Sequence, residues 1–338
     1  MIVPEGYSIA IPSYGRPEEF EELLTSIINS TQLPDEVIIC EDYSKQRSIL
    51  KVIGDKWAPV FEAKGCKFNY IENEINLGYD ANIRKLIQLS SFKWVILIGN
   101  DDLLLPEGIG IINEFCLRNP NVAMISRPFI RFNTDINKPL GISRFFDHEV
   151  IINNEMPANL LFRVAGFVGG LIVNKNWAEP LHTNKYDGTL YYQIYLASHA
   201  YCTNGIGYLA KPTVGGRAGN PPLFGEAGAK NHSVGAYSAS ARTSMWKGVL
   251  NIGKDVGAVY GIDLYSPLKR ELTVRQSFHI FEMNATAGKH NLKELRRELS
   301  KLGLFDHIVP KTLYYINFIF GNRSSIVYRF VRKYMQKK

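Results

Sequence analysis

Two adjacent carboxylates, Asp101 and Asp102, end the apolar run Trp94-Val-Ile-Leu-Ile-Gly-Asn-Asp-Asp-Leu-Leu-Leu-Pro106. Like charges this close are costly unless a cation or solvent offsets them. Hard oxygen ligands of this kind suit Mg²⁺ or Mn²⁺, which keep several waters and bridge to substrate phosphates. The competing reading is a solvated turn that caps a helix starting near Pro106. Three more segments place polar side chains where an apolar run ends: Ser8-Ile-Ala-Ile-Pro-Ser-Tyr-Gly-Arg-Pro17, Val37-Ile-Ile-Cys-Glu-Asp-Tyr-Ser44 and Asn76-Leu-Gly-Tyr-Asp-Ala-Asn82.

For these residues to meet, the apolar runs must be strands of one sheet. A continuous bulky run reads as a strand covered on both faces, the habit of a parallel sheet between helices. Strands are expected over residues 7–11, 36–40, 67–71, 93–98 and 122–126. Helices are expected over 18–29, 44–56, 79–89 and 107–117. In the first helix Phe20, Leu23, Leu24, Ile27 and Ile28 recur at helical spacing, behind acids that suit a helix N-terminus. Such alternation implies an α/β fold in which the four polar junctions lie along one sheet edge, where open α/β sheets bind ligands.

Beyond residue 128 the pattern loosens. A strand is expected at Gly170-Leu-Ile-Val173 and a helix over 190–198. The Gly- and Pro-rich stretch from Val214 to Ser240 reads as a linker or mobile loop. The remainder is mainly helical, with periodicity over 292–299 and again from Ser324 onward.

The chain has 338 residues, 46% of them hydrophobic, and a formal net charge of +7. That excess is concentrated at one end: Lys311, Arg323, Arg329, Arg332, Lys333, Lys337 and Lys338 follow Asp306, the last acid. A near-neutral body disfavours a nucleic-acid partner, which wants a basic stripe with aromatic platforms. Cys40, Cys66, Cys116 and Cys202 are scattered, without zinc spacing or disulfide density, and are expected to be buried thiols. Neither a signal peptide nor a run long enough to span a bilayer is evident, so a cytoplasmic protein is expected.

Taken in order, the four junctions resemble those of the large family 2 of glycosyltransferases with the GT-A fold. There a Pro-Ser/Thr-Tyr/Phe-Asn-Arg pattern ends the first strand and Asp-Asp-Gly-Ser the second. Asn-x-Gly follows the third, and an Asp-x-Asp motif precedes a proline after the fourth. Asn76, Gly78 and Asn82 with Gly99-Asn-Asp-Asp102 look like members that build bacterial surface polysaccharides such as O-antigen or capsule, with deoxysugars like rhamnose or abequose. The resemblance covers about residues 7–126.

It implies a GT-A, Rossmann-like, mostly parallel sheet flanked by helices. The catalytic domain would span 1–220, with a nucleotide-sugar half over 1–126 and an acceptor half over 127–220. A mainly helical region with a basic amphipathic tail would occupy 221–338. The implied activity is an inverting transfer from a nucleotide-diphosphate sugar to a hydroxyl of a glycan or lipid-linked oligosaccharide, with Mn²⁺ or Mg²⁺ as cofactor.

Implied roles follow the motifs. Pro12, Ser13 and Tyr14 form the floor for base and ribose, and Arg16 approaches the phosphates. Glu41 or Asp42 hydrogen-bonds the base, with Asn76, Gly78 and Asn82 beside it. Asp101 binds the metal, Asp102 ligates through water or from behind, and Asn100 contacts ribose. The family's usual first aspartate is Gly99 here. Arg217 resembles a lid residue set against the diphosphate. Asp187, in Tyr186-Asp-Gly-Thr, stands where the family has its general base, with Glu179 and Asp147 as weaker alternatives. Against these roles stand plain structural ones, such as Asp187 capping a turn before Gly188. His182, His199 and His232 lack metal spacing.

Ile326, Val327, Phe330, Val331, Tyr334 and Met335 form a helical stripe among basic residues. It suits either an anionic membrane surface, the inner face of the plasma membrane, or packing on the domain. Two other readings remain. One is a non-catalytic sugar-nucleotide or glycan-binding protein, which Gly99 keeps open. The other is a dinucleotide oxidoreductase, which the lack of a Gly-x-Gly-x-x-Gly turn disfavours.

Overall fold

The computed structural model describes residues 3–220, 223, 238–285, 288–324 and 326–328. The first half follows the expected alternation: β1 (Tyr7–Ser13), α1 (Pro17–Ile28), β2 (Glu36–Glu41), α2 (Arg47–Glu62), β3 (Lys67–Glu72), α3 (Tyr79–Leu89), β4 (Trp94–Leu97), β5 (Leu103–Leu104) and α4 (Gly108–Arg118). Then come β6 (Met124–Ser126), β7 (Phe129–Phe132), β8 (Gly141–Ser143), β9 (Val150–Ile152), α5 (Leu160–Ala165), β10 (Leu171–Asn174), α6 (Lys175–Ala178), α7 (Tyr192–Cys202), β11 (Ile206–Tyr208) and β12 (Val214–Arg217). The last part is helical: α8 (Ala239–Tyr260), α9 (Tyr265–Glu271), α10 (Ser277–Met283), α11 (Gly288–Lys301) and α12 (Ile308–Phe320).

Eight strands form the main sheet in the order β3-β2-β1-β4-β10-β6-β11-β9. β3, β2, β1 and β4 run parallel, while β10 is antiparallel to both β4 and β6. The carboxyl ends of β1, β2, β3 and β4 therefore share one edge, and the start of β10 meets them there. Side chains alternate between faces, as the period of a strand requires. Ile9, Ile11, Val37, Ile39, Ile96 and Ile98 belong to the apolar cluster that includes α1, α2 and α4 residues. Ala10, Ile38, Val95 and Leu97 belong to a second cluster that continues through α7 and α8 to Leu313 of α12. One core thus joins the sheet to the C-terminal helices.

Part of the stretch expected to be a linker is structured. Val214–Arg217 is β12, parallel to β7 and antiparallel to β5 in a second sheet of order β5-β12-β7-β8. Its glycines have a packing reason, because a Cβ on Gly216 would sit 2.9 Å from the rings of both Phe129 and Phe167. α2 starts at Arg47 rather than Ser44, since the Glu41 carboxylate accepts hydrogen bonds from the Tyr43 and Ser44 amides (3.0 and 2.8 Å) and holds that loop.

Tyr328 is fully buried, edge-on to Phe278, and its hydroxyl donates to the Leu313 carbonyl (2.8 Å). This packs the start of the terminal segment against the helices, while Ile326 stays exposed. Phe330, Val331, Tyr334 and Met335 lie outside the described residues. Among the described residues, no helix is long and apolar enough to cross a membrane.

Candidate active site

After β1 the chain turns through Gly15 and Arg16, both left-handed with φ of 64° and 62°, directly into Pro17 at the start of α1. Only three described non-glycine residues adopt positive φ: Arg16, Tyr43 and Leu190. Such conformations are uncommon for non-glycine residues and persist where the surroundings over-determine them. Arg16 and Tyr43 lie in the loops after β1 and β2, and Leu190 just before α7. The Arg16 amide donates to Gln46 Oε1 (3.0 Å), and Asn100 Nδ2 donates to the Gly15 carbonyl (2.8 Å). The first and fourth junctions are thereby tied together.

The second and third junctions are joined through Asp42. Its carboxylate accepts from Asn73 Nδ2 (2.8 Å), the Leu77 amide (2.8 Å) and the Gly78 amide (2.9 Å), and its carbonyl accepts from Asn76 Nδ2 (2.8 Å). Asn82 donates to the Cys40 carbonyl (3.1 Å). Asp42 therefore holds the loop that leads into α3, and Glu41 holds its own turn.

At the fourth junction Arg16 forms an ion pair with Asp101, whose Oδ2 also accepts from Asn220 Nδ2 (3.3 Å). Arg217 donates from Nε to the Asp101 carbonyl (2.9 Å) and from its amide to Asp102 Oδ1 (3.1 Å). Its guanidinium lies 4.8 Å from the centre of the Phe132 ring and pairs with Glu22. Asp102 is buried, and burial with the Asp101 charge beside it raises its carboxyl above the usual carboxylate range. Arg127, buried nearby, is pushed down to about 9 by its burial. Gly169 and Gly170 cover this pair. A Cβ on Gly169 would collide with Asp102 Oδ2, and one on Gly170 would lie 2.7 Å from Arg127 Nε. Gly99 is confined less severely: a Cβ there would lie 3.1 Å from Asp102 Oδ2 and 3.3 Å from Asp101 Oδ1. A third aspartate at that position would crowd the two already present.

These junctions floor a cleft of about 680 Å³, within the range of small-molecule sites. The first and fourth junctions give it Pro12, Ser13, Tyr14 and Arg16, and Asn100, Asp101 and Asp102. Asp42, Asn82 and Arg217 also line it. Glu41, Asn76 and Gly78 are not in its wall: Asn76 and Gly78 hydrogen-bond Asp42, and Glu41 holds the turn that follows it. Sequence reasoning missed Phe129, Phe167, Tyr191, Arg242, Met245 and His279, which line the far side. Their elements lie far apart in the chain and carry no local signal of a shared wall.

The structure does not bring Asp187 to the cleft wall. Its carboxylate pairs with Arg84 through NH1 to Oδ1 (2.5 Å) and NH2 to Oδ2 (2.8 Å). Arg84 also donates to the Thr183 carbonyl (2.8 Å). One turn earlier on α3, the buried Asp80 carboxylate accepts from the Leu190 and Tyr192 amides (2.8 and 2.9 Å). Asp80 and Arg84 together pin the segment whose Leu190, Tyr191 and Gln193 reach the cleft. In this structure the Asp187 carboxylate is engaged with Arg84 and helps to hold that segment. Glu179 lies beside His182 (3.7 Å) and Asp147 beside His148 (2.8 Å), both outside the cleft wall. His182 and His199 contact the hydroxyls of Tyr192 and Tyr260, and burial lowers His199 to about 4. His232 lies outside the described residues.

The donor set fits a divalent cation only in part. Asp101 presents one carboxylate to the cleft, enough for an ion completed by phosphate oxygens and water. Asp102 has one oxygen on the Arg217 amide and the other under Gly169, so it acts from behind. Among the described residues no group of three or more His, Cys, Asp or Glu side chains is placed to hold a metal by itself.

Residues 8–171 match the family model described as glycosyl transferase family 2. The chain is 25% identical over 219 residues to the abequosyltransferase RfbV of Salmonella typhimurium, covering 61% of this chain and 65% of that protein. It is 29% identical over 121 residues to an uncharacterized glycosyltransferase of Haemophilus influenzae, covering 36% of this chain and 38% of that one. The chain thus spans less than two thirds of the length of these curated relatives. Among solved structures it is similar to S. aureus TarS 1-349 in complex with UDP, with a TM-score of 0.61, 14% identity, and 98% and 92% of the two chains covered. The complex of the same protein with UDP-GlcNAc gives a TM-score of 0.62 at 15% identity. At that identity the likeness establishes the shared GT-A fold.

Proposed function

The chain carries a glycosyl transferase family 2 domain across residues 8–171, and from that premise we propose that it moves a sugar from a nucleotide-diphosphate donor to a hydroxyl of a bacterial surface polysaccharide under assembly. The observation that carries this reading is the cleft at the carboxyl edge of β1 and β4, where Arg16, Asn100, Asp101 and Arg217 form one connected network. The TarS complex with UDP-GlcNAc supports a nucleotide sugar as the occupant of a cleft in this fold.

In the proposed reaction the acceptor hydroxyl oxygen attacks the anomeric carbon from the face opposite the diphosphate and gives up its proton to solvent in the open cleft. The bond from that carbon to the phosphate oxygen breaks, the nucleoside diphosphate leaves with the electron pair, and the configuration inverts. Arg16 offsets charge on the diphosphate, as a preorganised cation in a dry site does. Asn100 and the turn of Pro12, Ser13 and Tyr14 orient the nucleoside. A Mn²⁺ or Mg²⁺ ion held by Asp101 would add Lewis-acid stabilisation of the leaving group. Asp187 acts through Arg84 as a positioning residue for the acceptor wall.

A peripheral contact with an anionic membrane is also proposed. Ile308 and Ile319 of α12 are 69% and 71% exposed and Ile326 is 57% exposed, and no acid follows Asp306. Such a surface suits an interfacial helix among basic residues.

A thermal-shift screen against UDP, GDP, CDP and dTDP, with Mn²⁺ or with EDTA, tests the reading, since a ligand of the folded state alone raises apparent stability. One nucleotide shifting the melting temperature in a cation-dependent way is the expected result. No shift with any of them would favour the non-catalytic alternative.

A further inference from the structure

The cleft is not closed on its far side. A second cavity of about 360 Å³ shares Phe129, Gly166, Phe167, Tyr191, Arg242 and His279 with it. A third, of about 1270 Å³, shares Arg163, Arg275, Gln276 and His279 with the second. The three form a continuous groove with His279 at every junction. Its middle is aromatic: Phe129 and Phe167 lie tilted at 4.2 Å between ring centroids, Phe162 and Tyr191 tilted at 5.4 Å, and Phe145 and Trp246 also line it. Rings arranged in this way suit the apolar C–H faces of sugars.

The far end is basic. Arg163, Arg270 and Arg275 line it with two carboxylates, Asp263 and Glu271, and Glu271 is shared by Arg163 and Arg275 (3.9 Å), so three guanidinium groups face two acids. Glu271 is buried and accepts from Arg163 Nε and NH2 (3.0 and 2.8 Å) and from Gln276 Nε2 (3.2 Å). Asp263 accepts from the Ser266 amide (3.0 Å). Arg270 forms no ion pair among the described residues. The wall that carries Arg275 is a π-helical turn, Leu272–Gln276, between α9 and α10. Such turns concentrate at functional sites.

Guanidinium forks match phosphate oxygens in geometry as well as charge. We propose that this groove binds the acceptor, and that the acceptor carries a phosphate group held by Arg163, Arg270 and Arg275 at the end opposite the hydroxyl that receives the sugar. The proposal rests on the glycosyltransferase reading, and two sources share its chemistry: a lipid-linked diphosphate and a phosphodiester within the glycan.

The full chain is first saturated with whichever nucleoside diphosphate raises its melting temperature, which occupies the cleft. Farnesyl diphosphate and a glycerol phosphate trimer are then titrated by calorimetry against wild type and R270A/R275A, with farnesol and glycerol as uncharged controls. At least tenfold tighter binding of either anionic probe to wild type is expected. Preference for farnesyl diphosphate identifies the lipid-linked source, and preference for the trimer the glycan source. Equal affinities in both proteins, or no binding of either probe, overturns the proposal. Both arginines are exposed, and a circular dichroism melt checks that the variant folds. Should it not, R270A alone carries the comparison, with a threefold loss expected and an unchanged affinity overturning the proposal. If no nucleotide shifts melting, the glycosyltransferase reading fails, while the comparison of wild type with the variant still decides the groove.

Discussion

Arg84 and Asp187 meet in a two-point ion pair that fastens α3 to the segment leading into α7. Loss of a true general base costs about 10²–10⁴ in rate. Loss of a partner that only holds a wall costs less and is shared by both members of the pair. Asp187→Asn and Arg84→Ala are therefore expected to reduce transfer by similar factors, about tenfold or less. The double variant should be little worse than either, because neighbours in one network are not additive. Steady-state rates of the three variants decide this. A thousandfold loss in Asp187→Asn beside a near-normal Arg84→Ala would make Asp187 the base.

Asp101 and Asp102 are adjacent in sequence but opposite in circumstance. Asp102, whose carboxyl is raised by burial and by the Asp101 charge beside it, uses one oxygen to accept from the Arg217 amide. Asparagine can keep that contact without the charge. Asp102→Asn is expected to retain its fold and most of its Mn²⁺-dependent nucleotide shift, whereas Asp101→Asn loses the cation dependence. Thermal shifts of both variants with Mn²⁺ and with EDTA separate them. Equal loss in the two would mean that both carboxylates hold the ion.

Gly169 and Gly170 are the lid over Asp102 and Arg127, and Gly170 has a φ of 77°. Overpacking such a site costs about 1–3 kcal/mol, and the strained backbone adds to that at Gly170. Gly169→Ala is expected to lower the urea midpoint accordingly. It should also impair donor binding, because Gly166, Phe167 and Val168 just before it line the cleft. Denaturation curves and nucleotide titrations of the variant check both effects, and a wild-type midpoint would show that the turn can relax.

The sheet edge that floors the cleft was legible because each of its βα junctions is local. The apolar runs of β1, β2, β3 and β4 and the polar residues after them lie within a few positions of one another, so pattern alone places them on one edge. The second sheet was not legible. β12 has four residues, two of them glycine, and it pairs with β7, whose Phe129 lies opposite Val214. Nothing near either segment announces that pairing. The direction of β10 was hidden for the same reason, although its position was expected. Asp187 was expected at the cleft because its neighbours in sequence resemble a motif, and its pairing with Arg84, 103 positions away, could not be read from that motif. The far wall of the cleft draws on α8 and α10, whose side chains show periodicity but not what they face.

Asp80 ties stability to pH through the same wall. Burial raises its carboxyl from 3.8 to about 6, against the opposing pull of the Leu190 and Tyr192 amides. An acid whose folded pKa is raised binds its proton more tightly when folded. Its contribution is therefore fully present below about pH 3.8, declines as pH rises through about 6, and is constant above that. At about 1.4 kcal/mol per pKa unit the whole change is of order 3 kcal/mol. Asparagine at this position does not titrate, but it offers one acceptor oxygen where the carboxyl group offers two, so Asp80→Asn starts out less stable. The stability gap between wild type and Asp80→Asn is expected to narrow between pH 5 and pH 7.5, as the wild type alone loses its protonated form. Urea midpoints at the two pH values measure it. A gap that widens instead would show that the two amides favour the carboxylate strongly enough to outweigh its burial, and that the wall is held by an ionised Asp80.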